Sequence, residues 1–303
     1  MKVTVTQQHL AHGLSIVSRA VSPRSTLPVL ANVLLATDEG RLRLSATNLE
    51  LGITCWIPAH IDEEGSVTIP ARTLVDLVST FPPDNVVMSL DERTQTINLV
   101  CNASIHDIKG IDAQDFPPMP VVDPGEGIEL NLADFKDMIQ QVAFAASSDE
   151  ARPVLQGVKM DVVENGITLA ATDGFRISVR KENLSSPVSQ DISIIIPARA
   201  MNELARIFSD VDKAVRMVVP SGRGQVIFRL KDAELVSQLI DGNFPDYKAI
   251  IPKSAKTKTI ISTPAFLKAC KQAEVIAREG NNIIRLDILP GEDGPGKVEI
   301  NSQ

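Results

Sequence analysis

The stretch Ile69-Pro70-Ala71-Arg72 returns 127 residues later as Ile196-Pro197-Ala198-Arg199, and each copy opens a segment of helical period. Leu77 and Phe81 follow the first copy at the offsets that Leu204 and Phe208 keep behind the second. Outward from this phrase the echoes continue. Pro28-Val29-Leu30 matches Pro153-Val154-Leu155, and Leu44-x-Ala46-Thr47 matches Leu169-x-Ala171-Thr172, both 125 residues apart. Ile111-Asp112 and Phe116-Pro117 recur as Ile240-Asp241 and Phe244-Pro245, with one residue deleted between the pairs. Segments that recur in one order at nearly one spacing mark an internal duplication. A chain of copied modules builds a symmetric assembly, and its function then lives in the assembly's shape.

A third copy begins near Ser262. Phe266 and Gln272 match Phe135 and Gln141 at a shift of 131, which also carries Ile167-x-Leu169 onto Val298-x-Ile300 and Thr172 onto Gln303. Three copies of about 125 residues need about 375. The expectation is two complete domains, 1–122 and 123–251, and about half of a third, 252–303, cut short at the carboxy terminus.

The segment pattern is mostly β. Alternating or apolar runs separated by turn residues predict strands at Met1–Thr6, Val33–Thr37, Leu42–Thr47, Leu51–Pro58, Glu64–Ile69, Asn85–Asp91 and Thr96–Cys101. Copy two repeats the list from Gly127 to Gln238. Helical period is confined to Gln7–Ala20, Pro70–Phe81, Leu132–Ser147, Pro197–Ser209 and Thr263–Arg278. This makes an α+β chain of antiparallel sheets. Those five segments together carry +3 against −8 for the chain, so −11 falls on strands and loops, a modest excess of the sign expected if a helical layer faces a polyanion and also within the ordinary scatter of surface charge.

Catalytic chemistry finds no foothold. His9 and His12 lie one helical turn apart with no carboxylate or cysteine to complete a metal set. Asp62-Glu63-Glu64 and Asp91-Glu92 read as solvated hairpin tips, and Ser221-Gly222-Arg223-Gly224 lacks the lysine of a phosphate cradle. Cys55, Cys101 and Cys270 read as buried thiols of a reducing, cytoplasmic compartment. With 4% aromatics, one Trp and one Tyr, stacking platforms for single strands are not expected. No catalytic residue, metal or cofactor is assigned. No apolar run is long enough to span a membrane.

The assembled residues resemble the bacterial beta sliding clamp family, the processivity subunit of DNA polymerase III. The resemblance spans the whole chain. It rests on Lys2-Val3-Thr4-Val5, Arg24-Ser25-Thr26-Leu27-Pro28-Val29-Leu30, Ile69-Pro70-Ala71-Arg72, Ala171-Thr172-Asp173-Gly174-Phe175-Arg176 and Asp241-Gly242-Asn243-Phe244-Pro245-Asp246-Tyr247. It implies tandem DNA-clamp domains closing head to tail as a homodimer, sheets outside and helices lining a central hole for duplex DNA. The function implied is processivity without an active site of its own. The implied partners are double-stranded DNA of any sequence, the polymerase III alpha subunit, the clamp loader and other proteins carrying clamp-binding motifs.

By position, the resemblance assigns DNA contact to Arg24, Arg152 and Arg199. It assigns a peptide-binding groove to Leu155, Thr172, Gly174, Phe175, Arg176, Ile177, Pro245, Ala249 and Ile250. The subunit contact falls on Leu74, Leu77, Val275 and Ile276. One departure stands out: family residues that complete a groove wall and the ring have no counterpart before Gln303, so weak peptide binding and poor dimerisation are expected. Two other readings compete: a nucleotidyl-transfer enzyme, and a monomeric peptide-binding scaffold that does not act on DNA.

Overall fold

A computed structural model describes the chain except for residues 23–24, 121–126, 189, 209–212, 292–293 and 303, and divides it into two compact units, Met1–Pro245 and Asp246–Gln303. The first unit holds both full copies. Copy one runs β1 (Lys2–Thr6), α1 (Gln7–Val17), β2 (Asn32–Asp38), β3 (Arg41–Thr47), β4 (Leu51–Pro58), β5 (His60–Glu63), β6 (Ser66–Pro70), α2 (Ala71–Thr80), β7 (Asn85–Asp91), β8 (Thr96–Cys101) and β9 (Ser104–Lys109). Copy two runs β10 (Ile128–Asn131), α3 (Leu132–Val142), β11 (Gly157–Val163), β12 (Gly166–Thr172), β13 (Ile177–Asn183), β14 (Ile192–Pro197), α4 (Ala198–Ile207), β15 (Ala214–Val218), β16 (Gln225–Arg229) and β17 (Ala233–Gln238). α1 and α3 start 125 residues apart, α2 and α4 127, and β9 and β17 129. Copy one alone inserts β5.

Local chemistry repeats with the elements. Thr6 Oγ1 accepts the His9 N–H at the start of α1, and Asn131 Oδ1 accepts the Asp134 N–H at the start of α3. Pro70 and Pro197 close β6 and β14 and turn the chain into α2 and α4, where a missing N–H leaves no gap in the helix. Two elements escape the sequence pattern. β9 reads Ser-Ile-His-Asp-Ile-Lys and exposes five of its six residues, so the alternation of a half-buried strand is absent. β5 is equally polar. The helical period over Gln7–Ala20 and Leu132–Ser147 also resolves into shorter α-helices followed by 3-10 turns at Ser18–Ala20 and Ala143–Ala145.

Three sheets carry the first unit, in the orders β5-β1-β7-β8-β9, β10-β15-β16-β17-β4-β3-β2-β6 and β13-β12-β11-β14. α1 packs on α2 and on β1, β3 and β4, while α3 packs on α4 and on β10, β12, β13 and β15, so each helix closes a core between two sheets. Leu10 and Leu14 of α1 are buried with Leu42, Leu44 and Ile53, each such side chain adding about 1.5–3 kcal/mol. Gly13 permits this closeness: a Cβ there would fall 2.4 Å from Leu44 Cδ1. In copy two Phe135 takes the central place, its ring 5.8 Å from Phe228 and 6.4 Å from Phe208.

The middle sheet crosses from one copy to the other. β17 pairs antiparallel with β4, Ala233 opposite Cys55 through Ser237 opposite Leu51, and Trp56 N–H to Asp232 O (2.9 Å) and Gln238 N–H to Glu50 O (2.8 Å) extend the ladder. On the helix side Arg19 of copy one and Arg206 of copy two both reach Glu203, at 3.2 and 2.7 Å. Burial pushes the Glu234 carboxyl on β17 above its usual range, and the Arg229 guanidinium draws it back only in part. One apolar cluster runs from Met1 to Leu235, so the two copies share a core.

The second unit holds α5 (Tyr247–Ile250), α6 (Thr263–Ala277) and a hairpin of β18 (Ile284–Leu289) and β19 (Lys297–Ser302). α6 lies on the hairpin as α3 lies on β12, but Phe266 is only half-buried where Phe135 is 2% exposed. The described residues of this unit include no counterparts of Phe208 and Phe228.

Leu235→Ala empties a fully buried site in the strand that joins the copies. A loss of about 2–5 kcal/mol is expected, read as a lower urea midpoint with Trp56 emission changing in the same single transition. Glu234→Gln tests the buried charge. The folded carboxyl holds its proton more tightly than the unfolded one, so ionising it costs stability as pH rises. The variant should exceed the parent in stability at neutral pH and lose that advantage in acid, by urea midpoints at both.

Candidate docking groove

The β12–β13 turn builds the surface that the sequence singles out in copy two. Thr172, buried at the end of β12, donates its hydroxyl to Arg176 O (2.7 Å) and accepts the Gly174 N–H (3.1 Å). Asp173 Oδ1 accepts the N–H groups of Phe175 (2.9 Å) and Arg176 (3.0 Å), and its Oδ2 accepts Arg176 Nε (2.9 Å). Those backbone donors, with the guanidinium behind them, hold the Asp173 carboxyl below the usual carboxylate range. Gly174 sits at φ +95°, a left-handed conformation glycine adopts without strain. The turn thrusts Phe175 into solvent, 95% exposed.

A second loop completes the patch. Ser147 N–H donates to Leu155 O (2.8 Å), and Leu155 lies half-buried on a 3-10 turn over Pro153–Gln156. Asp149 accepts the Ala151 N–H and Arg152 Nε, which together lower its carboxyl pKa. Arg152 points at the first turn: a Cβ on Gly174 would lie 3.3 Å from its Nη1. Arg176 Nη2 donates to Phe144 O at 3.1 Å, with its guanidinium 5.5 Å from the Phe144 ring centre. Leu155, Thr172, Gly174, Phe175 and Arg176 therefore lie on two linked loops, and Ile177 starts β13 beside them, half-buried. Phe144, 59% exposed, joins them without having been singled out by sequence. Its signal was there: an aromatic residue just past α3, out of phase with the buried face.

Other expected site residues fall elsewhere. Pro245 is exposed at the end of a segment whose Gly242 approaches Val154, where a Cβ would fall 2.6 Å from Val154 Cγ2. Ala249 and Ile250 are exposed on α5 of the second unit. Arg24 lies outside the described residues. Arg199 is exposed in the first turn of α4. Arg152 lies at the edge of the groove, beside Gly174. Leu74 requires a correction: it is fully buried under α2 and offers no area to a partner subunit, because the α2 stripe turns its Leu74–Val78 side into the core. Leu77 is half-buried on that helix, while Val275 and Ile276 are 62% and 55% exposed on α6.

Residues 1–120 match the family described as DNA polymerase III beta subunit, N-terminal domain, and residues 129–246 match its central domain. The beta sliding clamp of Synechococcus elongatus is 34% identical over 96% of this chain and 78% of its own length. That of Bacillus subtilis is 30% identical over 100% of this chain and 80% of its own. The crystal structure of the Bacillus subtilis DNA polymerase sliding clamp superimposes with a TM-score of 0.88 at 27% identity, covering 99% of this chain and 83% of that one. A sliding clamp from Bartonella birtlesii bound to griselimycin gives 0.86 at 26% identity, covering 100% and 84%.

Gly174→Ala places a Cβ at a left-handed φ and against Arg152. A stability loss of about 1–2 kcal/mol is expected, measured by urea denaturation, with the β12–β13 turn amides shifting in an NMR spectrum while those of copy one stay in place.

Proposed function

This chain belongs to the family of DNA polymerase III beta subunits, the bacterial beta sliding clamps, and from that premise we propose how its residues carry the work of a clamp. It is a DNA sliding clamp for the replicative polymerase, formed of modules 1–122, 123–251 and 252–303 and acting in the cytoplasm as a processivity factor without chemistry of its own.

The observation that carries the assembly is the β17–β4 seam. β9 occupies in copy one the place β17 holds in copy two, and β9 ends its sheet; β13 matches β4 and ends its own. An unpaired edge of this kind is a template for another strand. A second copy supplies one, in head-to-tail contact near Leu77 on one side and Val275 and Ile276 on the other. Repetition of one junction then closes a collar, which is how a heterologous interface ends without a filament.

The helices provide the lining. Exposed positions include Gln8, His9, His12 and Ser15 on α1 and Arg199, Asn202 and Arg206 on α4, while Arg72 pairs with Asp76 and Arg206 with Glu203. Pairing leaves a field that attracts phosphates weakly and reads no base, which suits sliding. Arg24, Arg152 and Arg199 are the phosphate contacts of this reading. The groove of Leu155, Thr172, Gly174, Phe175, Arg176, Ile177 and Pro245 takes short motifs from the polymerase alpha subunit, the clamp loader and other clamp-binding proteins. Apolar walls take their side chains and Thr172 and Arg176 hold their polar groups.

The purified chain is expected to extend no primer by itself, and to be retained on nicked circular DNA only to the extent that light scattering shows it to dimerise. Replacing Arg24 and Arg199 by Glu should lower retention and make the log–log salt dependence shallower by about one for each phosphate no longer neutralised. Peptide binding with no retention on any circle would leave a scaffold instead. Phe175→Ala, at an exposed side chain, should weaken motif-peptide binding about tenfold with an unchanged urea midpoint.

A further inference from the structure

The turn that forms the copy-two groove has a twin in copy one. Thr47 donates its hydroxyl to Leu51 O (3.1 Å) and accepts the Leu49 N–H (3.0 Å), while Asn48 Oδ1 accepts the N–H groups of Glu50 (3.1 Å) and Leu51 (2.7 Å). Each bond has its counterpart around Thr172 and Asp173. At the position of Gly174, however, copy one carries Leu49 at φ +76°. A leucine there is strained, and strain of this sort persists where the surroundings use it. Packing does not hold it, because Leu49 is 52% exposed.

Beside Leu49 lies a cavity of about 170 Å³, walled by Gly52, Pro117, Met119 and Val236. Its mouth depends on Gly52, since a Cβ there would meet Met119 Cε at 2.6 Å. The proline-flanked wall is stiff, and the space admits an aliphatic side chain. Gln225 and Gln238 line it too and offer amides to an extended backbone. The rim differs in charge from that of copy two. Leu27, 49% exposed, stands where copy two has Arg152, and Leu51, buried in the core, stands where it has Arg176, so neither guanidinium has a counterpart on this rim. Among the described residues lining the cavity, Glu50 is the one that is formally charged.

We propose that copy one carries a second docking groove, on the Thr47–Leu51 turn and the Pro117–Met119 wall, for an extended peptide with an aliphatic anchor next to a lysine or arginine. This rests on reading the copy-two turn as a peptide-docking site. The anchor enters the cavity against Met119, Leu49 covers it, and the basic neighbour pairs with Glu50. The same backbone turn thus serves two peptide classes: copy two presents Arg152 and Arg176, copy one presents Leu27, Leu49 and a carboxylate.

The test is a methyl NMR titration of the intact chain, labelled at leucine and methionine, with acetyl-Lys-Leu-Leu-amide and acetyl-Asp-Leu-Leu-amide. Saturable shifts of the Leu49 and Met119 methyls with the lysine probe, weaker with the aspartate probe, support the proposal. Leu49→Gly removes the cover and relieves the backbone, so the fold is kept; it should weaken the lysine probe about tenfold and leave Leu155 shifts unchanged. Shifts confined to Leu155 would overturn the second groove and leave the copy-two reading standing. Silence at both turns would end both. An unchanged affinity in Leu49→Gly would also overturn the proposal.

Discussion

A strand at the end of a sheet has N–H and C=O groups on its outer side that need partners, and the rest of this structure follows from where they find them. Among the sheet ends of the two copies, one pair is equivalent in each: β9 and β4 in copy one, β17 and β13 in copy two. Within the chain one pair is satisfied: β17 of copy two lies along β4 of copy one, and an eight-stranded sheet results. The edges left over, β9 and β13, are the equivalents of the pair already joined. A module built this way is incomplete by itself, and adding another of its kind is the natural completion. Ion pairs at the seam, Arg41 with Asp232 and Arg19 with Glu203, add orientation more than energy, since three of the four side chains are at least a third exposed.

The helices answer a different constraint. A clamp must stay on DNA without gripping any sequence, so retention belongs to topology and the lining must be weak. Paired arginines such as Arg72 and Arg206 fit that need better than a stripe of free lysines would. Most of the acid of the chain sits on strands and loops, and helical carboxylates such as Asp76 and Glu203 each lie beside an arginine.

Duplication also freed one copy to specialise. The Thr-Asx turn is kept twice because its hydrogen bonds are local and carry the backbone from one strand to the next. The residues on its rim carry no such duty. Gly174 and the exposed Arg176 in one copy, the exposed Leu49 in the other, give the same backbone two surfaces of different character.

The sequence by itself determined the two full repeats and most of the strands and helices within them, since periodicity and repeated phrases are local properties of the chain. The family resemblance grouped Thr172, Gly174 and Arg176, and one turn holds them together because they lie within five consecutive residues. It was silent where meaning depends on a neighbour distant in sequence. Polar β9 is a strand only because β8 pairs with it. Leu74 looked like interface and is core, since a helical stripe shows which face is apolar but not what covers it. Phe144 enters the groove through Arg176, 32 residues away, a contact set by the packing of α3 on β12 and β13. The crossing of β17 onto β4 was likewise decided only in three dimensions, because strand pairing is a contest among edges, and it is the folded core that brings two particular edges within hydrogen-bond reach.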